Sequence, residues 1–318
     1  MNTKLAATRD AYGKALVDLG RENPHVVVLD ADLSCSTKTS SFCREFPKRF
    51  INCGVAEQDM IGTAAGLATC GKIAFASTFS AFASGRAWDQ VKISVAYPRL
   101  NVKIVATHGG ITVGEDGVTH QALEDLGIIR VLPNMTLIVP ADAVEAYKAV
   151  KAAASFHGPV YIRLSRQATA LVYENEDYEF KIGKSVLMRK GTDVSIIACG
   201  LMVEQALIAA DELLKESISA RVINMHTIKP LDEAAIISAA KETGAIVTAE
   251  EHQISGGLGS AVCEIAGEND PVPVIRVGVK NTFAESGKPS DLLEKYGLTA
   301  KDVARAARAA VNKKKPNR

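Results

Sequence analysis

Long apolar runs are missing from this chain of 318 residues, in which no stretch approaches the ~18 consecutive apolar side chains that a membrane span requires. The opening segment MNTKLAATRDAYG also lacks the apolar core of a secretory leader. Cysteine is sparse: Cys35, Cys43, Cys53, Cys70, Cys199 and Cys263 include no CxxC pair and no zinc-type spacing. They read as reduced thiols, and the expectation is a soluble cytoplasmic protein. Excess charge of either sign is absent too. Lys+Arg 37 against Asp+Glu 36 leaves a formal charge of +1, which argues against a nucleic-acid or membrane-surface footprint. A full Walker P-loop, GxxxxGK[ST], does not occur, nor does any internal repeat or low-complexity tract.

What is present is core material. Hydrophobic residues make up 47% of the chain, enough for packed interiors, and the length suits two domains of about 150 residues each. Short β-branched runs, His25–Leu33, Lys72–Ser77, Asn101–His108, Thr136–Pro140 and Pro159–Ser165, read as buried parallel strands. Alanine-rich helical stretches lie between them, near 3–20, 56–70, 79–96, 121–129 and 141–156. Such alternation predicts an α/β fold with helices on both faces of an open sheet. The polar stretch Tyr173–Lys184 interrupts the rhythm, which resumes with VSIIACG, ARVINMHTIKP, AIVTAEEH and VPVIRVGV. The expected plan is therefore two consecutive open α/β domains, each with a mostly parallel sheet: 1–175, a linker over 176–186, and 187–318. The tail VNKKKPNR reads as a solvated basic end.

The segment NCGVAEQDMIG, Asn52 to Gly62, sets Glu57 in the first turn of a helix whose later positions Met60, Ile61, Ala64, Leu67 and Ala68 are apolar. Gly62 and Gly66 are four apart, and so small a helix surface suits a tight subunit or domain seam. Two readings of Glu57 stand on residue type. The plainer is an acid complementing the helix dipole; the sharper is a buried carboxyl kept protonated by desolvation, able to donate to a ligand nitrogen. Phe79 and Phe82, three apart after a buried run, read first as core. His108 comes off a strand end and His120 lies beyond a loop with four glycines, where open α/β sheets place ligands. A metal site from His108, Glu115, Asp116 and His120 matches no known ligand spacing.

Taken together these motifs carry a resemblance. ATRDAYGKAL, DADLSCSTKT, GVAEQDMIGTAAGLA, STFSAFASG, ATHGGITVGEDGVTHQ and RLSRQ stand in the order found in transketolase, and EEH…GGLGSAV resembles the C-terminal domain of that thiamine-diphosphate family. The resemblance spans essentially the whole chain but corresponds to only the second half of a transketolase: a pyrimidine-binding domain and the C-terminal domain. It implies reversible transfer of a two-carbon ketol unit from a ketose phosphate to an aldose phosphate.

By this resemblance Glu57 bonds the N1′ of the cofactor aminopyrimidine and promotes the tautomer that deprotonates the thiazolium. Phe79 and Phe82 look like the aromatic wall packed against that ring, with Gly85 standing where many members carry a tyrosine. Asp32 matches an aspartate near the thiazolium. His108 and His120 look like the pair that reaches the sugar hydroxyls, their near-neutral imidazoles suited to proton shuttling, and Asp116 looks like the selector of hydroxyl configuration. Arg9, Ser36 and Arg166 look like the grip on the sugar phosphate. His108 also favours transketolase over the related deoxyxylulose-phosphate synthases.

The family neutralises the cofactor diphosphate with Mg²⁺ (or Ca²⁺) held by a Gly-Asp-Gly loop and a downstream asparagine, and this chain has no Gly-Asp-Gly. The resemblance therefore implies that thiamine diphosphate is shared with an N-terminal-type partner subunit that holds the metal, in an α2β2 arrangement, so that no metal ligand is assigned here. The glycines of EEHQISGGLGSA open a helix after a strand, where an anion can be cradled, and no site residue is placed there. The competing readings are a β-subunit of a 2-oxo-acid dehydrogenase, which needs neither the phosphate grip nor the two histidines, and a non-catalytic module.

Overall fold

The computed structural model describes residues 4–173 and 178–314. In chain order its strands are β1 (Leu5–Ala7), β2 (Val26–Asp30), β3 (Phe50–Asn52), β4 (Ile73–Phe79), β5 (Val102–Thr107), β6 (Thr136–Ile138), β7 (Val160–Arg163), β8 (Ala168–Ala170), β9 (Val186–Arg189), β10 (Val194–Ala198), β11 (Ala220–Asn224), β12 (Thr227–Lys229), β13 (Ile246–Gln253) and β14 (Val274–Val279). Among the described residues they form a seven-stranded sheet in the order β12-β6-β7-β5-β4-β2-β3, a five-stranded sheet in the order β14-β13-β10-β11-β9, and the two-stranded ribbon β1-β8. The large sheet is parallel except at β12, and the smaller is parallel except at β9. The expected α/β plan is the one adopted.

Alternation along a strand explains the layers. Val26 and Val28 of β2 join a core built with helices Thr8–Glu22 and Ala143–Ser155, while Val27 and Leu29 point the other way, into a core built with helix Glu57–Thr69. That second core continues without a break into Ile197, Ile223, Leu258 and Val262, so the two sheets share one interior. On the far side of the smaller sheet, Ile196 and Val222 pack against helices Met202–Leu214 and Ala300–Asn312. The last of these helices starts on a capping box between Thr299 and Asp302.

Several local expectations give way to pairing between distant segments. The helix expected from residue 3 begins at Thr8, because Leu5–Ala7 pairs antiparallel with Ala168–Ala170. The single stretch ARVINMHTIKP divides: β11 stays in the smaller sheet, and β12 crosses to pair with β6 at the edge of the large one. The helix expected over 79–96 is not one helix. Phe79 closes β4, and two π-helical segments, Phe82–Arg86 and Val91–Ala96, flank a short α-turn at Trp88–Gln90, a winding that recurs at functional sites. In place of a helix over 121–129, only Asp125–Arg130 is helical, and Ala122 bridges to Gly109 and Gly110. The linker expected over 176–186 lies partly outside the described residues, at 176–177. At its near edge Tyr178 stacks on Tyr173 at 4.2 Å, and both hydroxyls donate to the buried Glu145 carboxylate.

Candidate active site

Parallel strands all end at the same sheet edge, so the residues that follow them converge there. Asp32 and Ser36 follow β2, Glu57 follows β3, Phe82 follows β4, and His108 follows β5. Arg166 follows β7, and the ribbon β1-β8 returns Arg9 to it. Thr8 and Ser165, 157 residues apart, face each other across that ribbon with their hydroxyl oxygens at 3.1 Å.

Glu57 begins helix Glu57–Thr69 and is 1% exposed. Its two carboxylate oxygens accept from Nη1 of Arg86 at 2.8 and 2.7 Å. The buried carboxyl group thus has a guanidinium as its partner, a contact that neither reading of Glu57 from residue type included. The same guanidinium lies 4.7 Å over the Phe82 ring. Phe79 and Phe82 stack on each other at 5.9 Å and 18°, so Glu57 sits at one end of an aromatic wall. Gly85 is exposed, and the space beyond it is open.

At the other end of the wall stand the imidazoles. His108 is buried and stacks on Phe79 at 3.8 Å, and His120 meets Phe82 edge-on at 5.3 Å. Arg9 Nη1 lies 3.4 Å from His108 Nε2, and Thr107 Oγ1 lies 2.8 Å from its Nδ1. A guanidinium only donates, so Nε2 is the acceptor and Nδ1 carries the proton toward Thr107. Burial, followed by the charges of Arg9 and Arg166 and by His120, pushes the His108 imidazole down from 6.5 to about 3. The ring therefore lies below the near-neutral value expected for it, since desolvation penalises the charged form and two neighbouring cations add to that penalty. At working pH His108 is a neutral hydrogen-bonding group.

Arg9 donates from Nη1 to the Ser36 carbonyl at 3.1 Å. Arg166 Nη1 donates to the Val113 carbonyl and lies 3.7 Å from Asp116 and 3.5 Å from Glu115. The two arginines, two histidines, Ser36 and Asp116 thus adjoin one mouth. Asp32 sits at its rim, exposed, accepting from Asn52 Nδ2 at 2.9 Å. Beneath it Asp30 is buried and accepts from Leu33 N, Thr37 Oγ1 and Thr39 Oγ1 at 2.6, 2.6 and 2.8 Å. Burial pushes that carboxyl upward and these donors oppose it; they shape the loop that carries Asp32 and Ser36. Among the described residues no three His, Cys, Asp or Glu side chains gather as a metal would need.

Arg86 and Asp30 were not singled out from the sequence. A lone arginine in a helical stretch carries no signal, although its place one turn beyond Phe82 does match the helical step back to an aromatic face. The glycine cluster after β13 meets a different fate from the anion cradle. Glu250 fills that helix start itself, accepting from Leu258 N and Gly259 N at 2.7 Å each.

Two family models match this chain: "Transketolase, pyrimidine binding domain" over residues 4–171 and "Transketolase, C-terminal domain" over 183–303. It is 50% identical over 299 residues to a putative transketolase C-terminal section of Methanocaldococcus jannaschii, covering 93% of this chain and 94% of that protein. It is 47% identical over 306 residues to the 6-deoxy-6-sulfo-D-fructose transketolase subunit SqwH of Clostridium sp. (strain MSTE9), covering 96% and 95%. A solved structure described as "Split gene transketolase, inactive beta4 tetramer" superposes with a TM-score of 0.91 at 54% identity, covering 97% of this chain and 99% of that one.

Proposed function

This chain belongs to the transketolase family, and we propose that it is the C-terminal-type subunit of a transketolase made from two polypeptides. With an N-terminal-type partner it transfers a two-carbon ketol unit reversibly from a ketose phosphate to an aldose phosphate. Relatives of matching length named as a C-terminal section and as a subunit support the division into two chains. The observation that carries the chemistry is a buried carboxylate, Glu57, at the end of the stacked Phe79–Phe82 wall.

Thiamine diphosphate, when bound, supplies the nucleophilic carbon that carries the transferred unit. The residues fit its aminopyrimidine. A flat cationic group, the Arg86 guanidinium, already lies on the Phe82 ring with two hydrogen bonds to Glu57, so the seat accepts a flat nitrogen-bearing donor. Phe79 and Phe82 provide the packing surface, and Glu57 the acceptor oxygen for a ring proton. Neutral His108, fixed by Thr107 and Arg9, presents a hydrogen bond to a sugar oxygen, with His120 beside it. Arg9 and Arg166 take the sugar phosphate, two guanidinium forks being matched to phosphate oxygens, and Asp116 orients a hydroxyl nearby. The metal belongs to the partner, whose Gly-Asp-Gly loop this chain lacks. Open space beyond Gly62 and Gly66 on helix Glu57–Thr69 suits the approach of that second chain.

Glu57→Gln, assayed with the partner, thiamine diphosphate and Mg²⁺ on xylulose 5-phosphate and ribose 5-phosphate, should cut turnover about 10²–10⁴-fold, the range of a lost proton-transfer group. Thermal unfolding of the variant should match the parent. Full turnover in that variant, or turnover of pyruvate in place of the sugar phosphates, would overthrow the assignment.

A further inference from the structure

The segment between His108 and His120 carries Asp116 and spaces the two imidazoles, yet it has little structure of its own. Only a 3₁₀ segment, Ile111–Asp116, forms within it, broken at Gly114. Its order is imposed from the C-terminal half of the chain. Glu251, buried at the end of β13, accepts the Thr112 backbone N–H at 2.6 Å. The Glu251 carbonyl accepts from Arg163 Nη2 at 2.8 Å. The same nitrogen donates to the Ala122 carbonyl at 3.1 Å, and Arg163 Nε donates to Asp125 at 2.9 Å. Further along, Gln253 N donates to the Leu123 carbonyl at 2.8 Å, and Gln121 Nε2 donates to the Glu285 carbonyl at 3.0 Å. Contact is close enough to exclude side chains. At Gly110, with φ +88°, a Cβ would fall inside the Glu251 carboxyl group, and at Gly117, with φ +72°, it would strike Ser286 Oγ.

The geometry points to Glu251 as a positioning residue for sugar-phosphate binding: the C-terminal domain holds the histidine-bearing loop in its substrate-ready shape. The inference rests on the proposed transketolase reading and deepens it, giving that domain a part in the site. Glu251 touches neither imidazole. It acts through the Thr112 amide, as a buried acceptor whose reach sets where the loop begins. A loop freed from that acceptor must be ordered by the sugar phosphate at the cost of affinity.

Two variants separate reach from charge. Glu251→Asp keeps the carboxylate beside Arg163 but withdraws it by one methylene from Thr112 N, and Glu251→Gln keeps the reach and an acceptor oxygen but removes the charge. In the assembled enzyme, Glu251→Asp should raise KM for xylulose 5-phosphate about tenfold, the weight of one hydrogen bond whether or not its acceptor is charged, with a smaller change in kcat. Hydrogen exchange in 109–122 should quicken, and exchange in helix Thr8–Glu22 should stay as in the parent. Glu251→Gln should restore both KM and exchange. Parent-like KM and exchange in Glu251→Asp, or impairment of Glu251→Gln equal to or beyond that of Glu251→Asp, would overturn the inference. Should the parent pair turn over no sugar phosphate at all, the functional reading fails, and the exchange pattern alone decides whether Glu251 holds the loop.

Discussion

Replacing Arg86 with methionine removes the cation paired with Glu57 and leaves a long apolar stem near the Phe82 ring. The pair is asymmetric: the carboxylate side chain is 1% exposed and the arginine side chain 47% exposed. Breaking a fully buried pair from one side costs about 3–5 kcal/mol, whereas exposed pairs contribute only about 0–1 kcal/mol. With one partner half in solvent, where water and salt screen it, the expected loss is about 1–2 kcal/mol. For a chain of this size that lowers Tm by roughly 1.5–3 °C. Thermal unfolding near neutral pH of the parent, Arg86→Met, Glu57→Gln and the double variant closes a double-mutant cycle. Because glutamine leaves no charge stranded, the double variant should regain most of what Arg86→Met loses. A coupling energy below roughly 0.3–0.5 kcal/mol, the size expected of independent sites, would show that the pair does not form in solution, and the argument for Arg86 as the group seated on Glu57 would fail.

Arg9→Ala and Arg166→Ala should each raise KM for a phosphorylated ketose about tenfold or more while leaving an unphosphorylated ketose nearly unaffected, since a charge-assisted hydrogen bond contributes about 1.5–3 kcal/mol; equal losses on both sugars would rule out a phosphate grip. Acid should destabilise the fold through its buried imidazoles. Burial pushes His226 from 6.5 down to about 4, so below about pH 6.5 the unfolded chain takes up a proton that the folded chain refuses until about pH 4. Stability therefore falls as pH drops through that window, by up to about 3 kcal/mol from this group, and His108 acts in the same sense down to about 3. Tm measured against pH for His226→Asn should show a shallower acid limb than the parent, and an unchanged limb would contradict the assignment.

Periodicity is local, and it made the layers readable in the sequence. The runs at Val26–Asp30, Ile73–Phe79 and Val102–Thr107 alternate into two cores, and the start of helix Glu57–Thr69 was legible from one acid ahead of apolar residues at helical spacing. The ordered motifs then marked Glu57, the two phenylalanines, the two histidines and the two arginines as candidates. How those groups meet was not legible. No local pattern says that Leu5–Ala7 leaves its helix to pair with Ala168–Ala170 and so brings Arg9 toward Arg166, or that Thr227–Lys229 leaves its own sheet for the edge of the other. Nor does residue type tell that Glu57 takes Arg86 as its partner, or that two arginines and burial hold His108 neutral. The division has a physical cause. Backbone geometry and side-chain alternation act over a few residues and leave their period in the chain, whereas charge pairing and desolvation depend on which surfaces come together once distant segments pack.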